Sequence, residues 1–266
     1  MSRSQWEANL AGHYAALEAL GKGAGVLIDL SQLAVKFSES MYLAHSTSDS
    51  KFSNICGTGY FSPGVPLADT KAEAVLGTAG SIFFFVSPFR YPQTNCGLLF
   101  ARSLELQHRE DGIATPFDSG GLKDVFTRRD PAETPRAFLA NHEMPLPDHR
   151  RYLGLSMQVL FDNPVDYIVG KEPCRIGPIG LTGGDQRRWT HEVRIPARVD
   201  VRGSQHTPAS CLRASGAGGE RPWGRIAFPM VCEVEGVDRE TFDTPGGNDF
   251  TALRQSCLDY VHRKLQ

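Results

Sequence analysis

An α+β fold is what this sequence predicts, and three observations predict it. The run Ser81-Ile82-Phe83-Phe84-Phe85-Val86 is continuous apolar and aromatic, opened by Gly80 and closed by Pro88, which is strand chemistry. Apolar residues at helical spacing mark both ends of the chain, at Trp6, Leu10, Tyr14, Leu17 and Leu20 and again at Phe250, Leu253, Cys257, Tyr260, Val261 and Leu265. Strand-like runs outnumber helical ones in the second half, without an internal repeat or a linker rich enough to force a boundary. A single domain over 1–266 is therefore expected.

Taken in order, residues 4–20 form an amphipathic helix stopped by Gly21-Lys22-Gly23, and an apolar segment runs from Val26 to Val35. Met41 to Ala44 is a short strand ending on His45-Ser46-Thr47. Helical spacing resumes through Phe52 and Ile55 and is broken at Gly57 and Gly59. After the aromatic strand, Cys96 to Leu104 is a second apolar run, its expected partner. From Asp111 to Pro147 the stretch is mixed, with turn chemistry at Pro116-Phe117-Asp118-Ser119-Gly120-Gly121 and at Pro131, Pro135, Pro145 and Pro147. Residues 148–161 read as a helix, Val165 to Val169 as a short strand, and Trp189 to Val193 and Val199 to Val201 as further strands. Residues 203–223 are Gly-, Ser- and Pro-rich and are expected to form a surface loop before a strand from Ile226 to Val234.

Composition excludes some functions. Lys and Arg number 28 against 30 Asp and Glu, a formal charge of -2, so bulk charge does not drive this chain onto nucleic acid or membrane. No apolar run approaches the ~20 residues of a spanning helix, and the first residues lack a basic segment followed by an apolar core. A cytoplasmic protein with reduced thiols is expected. The six cysteines are scattered, with neither C-x-x-C pairs nor zinc-ligand spacing to histidine, and no metal is expected.

Several patterns fall short of a motif. Gly21-Lys22-Gly23-Ala24-Gly25 lacks the strand before it and the ending of a phosphate loop. Neither Asn141-His142-Glu143-Met144 nor His191-Glu192-Val193-Arg194 is H-E-x-x-H, and there is no G-x-S-x-G elbow.

One constellation goes further. Tyr42-Leu43-Ala44-His45-Ser46-Thr47 is a strand ending in H-x-T, followed by a helix with Phe52 and Ile55 on one face and a turn at Gly59. Gly80-Ser81-Ile82-Phe83-Phe84 is a second strand, and Thr190-His191-Glu192-Val193-Arg194-Ile195-Pro196 a third that carries a glutamate. These elements, in this order, resemble the NAD-binding core of the ADP-ribosyltransferase superfamily, with Phe83 where tyrosine is more usual. The third is similar to the E-V-x-[VI]-P strand of bacterial transferases of the DNA-modifying type. The resemblance covers about residues 41–105 and 185–202.

It implies a split antiparallel β-sheet and an enzyme that cleaves nicotinamide from NAD and transfers ADP-ribose to a macromolecular acceptor: protein, DNA or RNA. It implies Glu192 as the catalytic residue, with His45, Ser46, Thr47 and Phe83 binding NAD. The family's second stacking aromatic falls to Phe89 or Tyr91. A toxin, effector or defence role is the usual setting of divergent members.

The chemistry asks for the same residue types. Nicotinamide is already a cationic leaving group, so breaking its bond to ribose needs no strong acid. Positive charge develops on the ribose, and one fixed carboxylate beside it lowers the barrier. A flat aromatic face holds the nicotinamide ring, and Phe in place of Tyr keeps the face while losing the hydroxyl.

Plainer roles stand beside these. His45 is also a satisfied polar residue at a strand end, Phe83 a core aromatic, and Glu192 a salt-bridging residue on a charged edge strand beside Arg187, Arg188 and Arg194. Asp118, ahead of two glycines, caps its own turn and is a secondary site candidate. Arg128, Arg129, Arg136, Arg150 and Arg151 are a solvated face or a means of orienting phosphates. The interval between Phe83 and Glu192 is longer than a minimal core of this family requires, so residues 106–185 are expected to be an insertion that recognises the target. A non-catalytic NAD- or nucleotide-binding module, an NAD glycohydrolase and an RNA 2′-phosphotransferase-like enzyme are the alternatives.

Overall fold

The computed structural model describes residues 41–63, 71–86, 96–122, 134–161, 172–175, 189–201, 210–214 and 223–225, together with Tyr167 and residues 7, 8, 11, 12, 15, 16 and 19. Those seven N-terminal residues are all helical, in the segment whose spacing predicts a helix. The segments Val26 to Val35, Ile226 to Val234 and 247–266 lie outside the described residues.

The chain is α+β. Its centre is an eight-stranded sheet in the order β10-β9-β4-β1-β3-β7-β5-β6. The strands are β1 (Tyr42–Thr47), β3 (Ile82–Val86), β4 (Cys96–Ala101), β5 (Ile113–Thr115), β6 (Met144–Pro145), β7 (Glu192–Ile195), β9 (Ser210–Ala214) and β10 (Trp223–Arg225). Every pairing in it is antiparallel. A separate two-stranded ribbon joins β2 (Tyr60–Phe61) to β8 (Val199–Asp200).

Side chains alternate across the strands, so each register assigns a face. Ile82 lies opposite Ile195 and Phe84 opposite Val193, and Ala114 continues that row. This face is the core. It gathers Leu43, Phe84, Leu98, Phe100 and Val193 with Phe52 and Ile55 of α1 (Asp49–Thr58) and with Tyr152, Leu153 and Met157 of α5 (Leu146–Leu160). Phe61, Phe84 and Phe100 meet with ring centroids 5.5–6.2 Å apart. Each such buried ring or aliphatic side chain stabilises the fold by ~1.5–3 kcal/mol relative to exposure. The opposite face carries Ser46, Phe83, Phe85, Glu192 and Arg194.

Local chemistry sets the helix ends. Ser48, in extended backbone, caps α1 by accepting from the Lys51 N–H at 3.4 Å. Gly59, at φ 73°, closes the helix in the left-handed region, and its N–H donates to Ile55 O. After the short α3 (Leu104–Gln107), α4 (Pro135–His142) starts with proline inside the Thr134 cap.

Several expectations are corrected. Cys96 to Ala101 does not pair with the aromatic strand; β1 lies between them, six residues of it in register with β4. Tyr167, in the segment expected to be a strand, is helical. The glycine-rich 203–223 segment holds β9, which extends the sheet from β4, and Trp223 opens β10. β7 begins at Glu192 rather than Trp189 and is an interior strand, flanked by β3 and β5, not an edge. The 106–185 interval supplies β5 and β6 to the same sheet, so part of it is built into the core.

Candidate functional site

On the polar face of the sheet, a cleft of about 310 Å³ is lined by His45, Ser46, Lys51, Glu73, Leu76, Thr78, Phe83, Phe85, Asp118, Ser119, Gly120 and Glu192. Five residues singled out in the sequence thus meet in one place: His45, Ser46, Phe83, Asp118 and Glu192. Register explains most of this. Glu192 is directly opposite Phe85 on one side and Thr115 on the other, which sets its side chain on the Phe83 face and just ahead of the turn at Asp118.

His45 reaches the cleft by a different route. Pairing of β1 with β3 runs through Leu43↔Val86 and Ala44↔Phe85 and stops there. Beyond that point the His45 ring takes over the bonding of the gap. Its Nδ1–H donates to Phe83 O at 2.7 Å, which leaves Nε2 as the unprotonated acceptor. The ring also sits edge-on to Phe61, centroids 4.5 Å apart. Burial, with Lys51 nearby, holds the imidazole pKa down to about 4, although the Phe83 carbonyl pulls the other way. His45 is neutral at pH 7.

Glu192 is 1% exposed. Ser119 Oγ donates to Oε1 at 2.7 Å and Ser119 N–H to Oε2 at 3.2 Å, while Arg194 Nε lies 3.5 Å from Oε1. Burial, and then the neighbouring Asp118 carboxylate, push the Glu192 pKa up to about 8, against the opposing pull of Arg194 and Ser119. Burial thus favours the protonated form of this carboxyl to a higher pH than solvent would. Asp118 Oδ1 accepts from Gly120 N–H at 2.9 Å, capping the turn as expected, and the residue also lines the cleft. At the other wall, partial burial raises the Glu73 carboxyl above its ordinary value, with Lys51 opposing.

Thr47 does not join the site. As the residue after Ser46 it turns to the other face of β1, where it is 3% exposed and its Oγ1 has no hydrogen-bond partner among the described residues. Phe89 and Tyr91 lie outside the described residues, as do Arg128, Arg129, Arg187 and Arg188. Two of the remaining arginines are occupied in holding elements together. Arg136 donates to Leu76 O at 2.7 Å, and Arg150 to Glu105 and to Arg102 O.

Ser119 carries no sequence signal of its own, although it sits in the turn singled out for Asp118. Nor do Lys51, Glu73 and Thr78. Those three are ordinary polar residues in and after helices, and only the packing of α1 and α2 (Lys71–Leu76) brings them to the cleft. Among the described residues no group of His, Cys, Asp or Glu is arranged to hold a metal ion, and no helix is long and apolar enough to cross a membrane. Comparison with known proteins finds no matching family model, no matching curated protein and no matching solved structure.

Proposed function

We propose that this chain is an NAD-dependent ADP-ribosyltransferase built on a split antiparallel sheet. The observation that carries the reading is the meeting of His45, Ser46, Phe83 and Glu192 around one cleft, from three strands far apart in sequence. The break in β1–β3 pairing after Ala44, bridged by the His45 ring, supports the split. The cleft is at the lower end of the size range for ligand pockets, so it suits the nicotinamide-ribose end of NAD, with the rest of the dinucleotide outside.

In this reading the Phe83 ring stacks on nicotinamide, and Ser46 and the neutral His45 offer hydrogen bonds to the amide and ribose. Nicotinamide leaves with the electron pair of its bond to ribose C1′, and the acceptor's nucleophile forms the new bond there while its proton passes to solvent. Glu192 stabilises the positive charge that develops on the ribose. Its raised pKa fits a substrate that is itself cationic, because bringing a positive charge into the cleft drives the carboxyl to ionise. Arg194 and the two Ser119 donors favour the same ionised form.

A second reading has its own observation. Both Glu192 oxygens already accept from Ser119, as in a carboxyl retained for structure within a non-catalytic NAD-binding module. Incubation with NAD labelled in the adenylate half separates the two. Label transferred to macromolecule by wild type and lost in Glu192→Gln supports the transferase, and free ADP-ribose points to a glycohydrolase. NAD bound but not consumed by either form leaves the binding module.

A further inference from the structure

The opposite face of β7, behind Glu192, carries a buried polar network that the site itself does not use. His191 is 1% exposed and is held at four atoms. Its N–H donates to Tyr167 Oη at 3.0 Å, and its carbonyl accepts from Val86 N–H at 2.9 Å. Its Nδ1 lies 3.0 Å from His149 Nε2, and its Nε2 3.1 Å from Ser156 Oγ. Tyr167 Oη donates in turn to Val86 O at 2.8 Å, so one hydroxyl ties β7 to β3.

The proton positions follow from the partners. Arg102 Nη2 can only donate, so His149 Nδ1, 3.4 Å away, accepts, and the His149 proton is on Nε2. His149 Nε2–H therefore donates to His191 Nδ1, which places the His191 proton on Nε2 facing Ser156 Oγ. Ser156 Oγ–H donates onward to Leu153 O at 2.9 Å. Each member has one orientation consistent with its neighbours. Burial, reinforced by the His191 ring and by Arg102 and Arg150, keeps His149 neutral well below its ordinary pKa, as this direction requires.

We infer that His191 is a positioning residue for Glu192. By locking β7 to α5 through His149 and Ser156, and to β3 through Tyr167, it fixes where the next residue presents its carboxyl to the cleft. The inference rests on the transferase reading for its kinetic consequence, but not for its geometry. A strand pinned on one side only by apolar contacts can slide and tilt by fractions of an ångström. Four directional bonds at the adjacent residue remove that freedom, and Ser119 holds the carboxyl from the other side.

The test uses His191→Phe, which fills the space without hydrogen bonds, and His191→Gln, whose amide N–H can still reach Ser156. Tyr167→Phe and Ser156→Ala are milder variants should His191→Phe not fold. With NAD as probe, His191→Phe or Tyr167→Phe is expected to lower kcat about 10–100-fold with KM little changed, and His191→Gln to recover most of that loss. Wild-type kcat and KM in folded His191→Phe, or in folded Tyr167→Phe and Ser156→Ala where it does not fold, overturn the inference.

Should wild type fail to consume NAD, the transferase reading fails separately, and titration of the ¹³C-labelled Glu192 carboxyl, assigned through Glu192→Gln, decides the inference. The groups facing that carboxyl are Asp118 and Ser119 from the turn and Arg194 from β7 itself. A midpoint displaced by about one pH unit in Tyr167→Phe or His191→Phe supports positioning. An unchanged midpoint in variants whose melting temperature has fallen shows a merely structural role and overturns it.

Discussion

At the scale of single residues, the proposed transfer asks two opposed things of Glu192. A carboxyl buried beside Asp118 destabilises the folded chain when it ionises, yet only its ionised form can steady a developing cation. Glu192→Gln should therefore abolish ~10²–10³ of any transfer rate while raising stability at alkaline pH by ~1–3 kcal/mol, read by NAD turnover and by denaturant unfolding at pH 9. Ser119→Ala removes one of the two donors that favour the ionised form. The midpoint of kcat/KM against pH should then move upward, by about 0.5–1 unit, and a rate profile unchanged from wild type would show that Ser119 does not tune this carboxyl. His45 has a narrower task. Because Nδ1 is committed to Phe83 O, only Nε2 is offered to a ligand, and it is offered as an acceptor.

At the scale of elements, β3 and β7 connect the core to the cleft. Phe84 is fully buried and packs edge-to-face on Phe61 and Phe100, one residue from Phe83 in the cleft. Phe84→Ala should cost ~3–5 kcal/mol of folding stability in a chemical denaturation series. Phe83→Ala, on the half-buried cleft side, should cost much less stability and weaken NAD binding instead. These elements were legible beforehand, their pairing was not. The aromatic run could only be a strand, and α5 announced itself through the periodicity of Tyr152, Leu155 and Val159. The neighbours of each strand were not legible, because β1 inserts between β3 and β4 through long-range pairing that no local pattern encodes. Nor was β9, which lies in a stretch whose glycines and serines read as loop; there the gain from extending the sheet edge at β4 outweighs weak local propensity.

At the scale of the whole molecule, buried titrating groups set how stability varies with pH. The Glu192 pKa is raised in the folded chain, so its contribution is complete below 4.5 and is lost as pH rises toward 8. The His45 pKa is lowered, so its contribution is complete above 6.5 and is lost as pH falls toward 4, and that of His149 declines in the same direction. Between 4.5 and 6.5 the two trends oppose one another. Of these three groups Glu192 alone still loses stability above 6.5, so its contribution should lower the melting temperature from pH 6.5 to about 8 and then level off. Glu192→Gln should flatten that decline, and a wild-type melting curve without it would contradict the burial of an ionisable Glu192.

The residue types and the local conformations that carry them are written in the chain: an H-x-T strand end, an aromatic strand, a strand bearing glutamate, and a turn capped by Asp118. These follow from short-range physics, in which side-chain period, capping and glycine's freedom act over a few residues. Which of them meet is a matter of long-range packing. Register placed Glu192 beside the turn of Asp118 and Ser119 and sent Thr47 to the other face, while the packing of α1 and α2 brought Lys51, Glu73 and Thr78 to the same cleft. The side-chain period of a strand is two, so a shift of one residue in pairing exchanges cleft for core. That choice is made by burying the Phe84 row against α1 and α5, and the polar residues of the cleft take the face that remains.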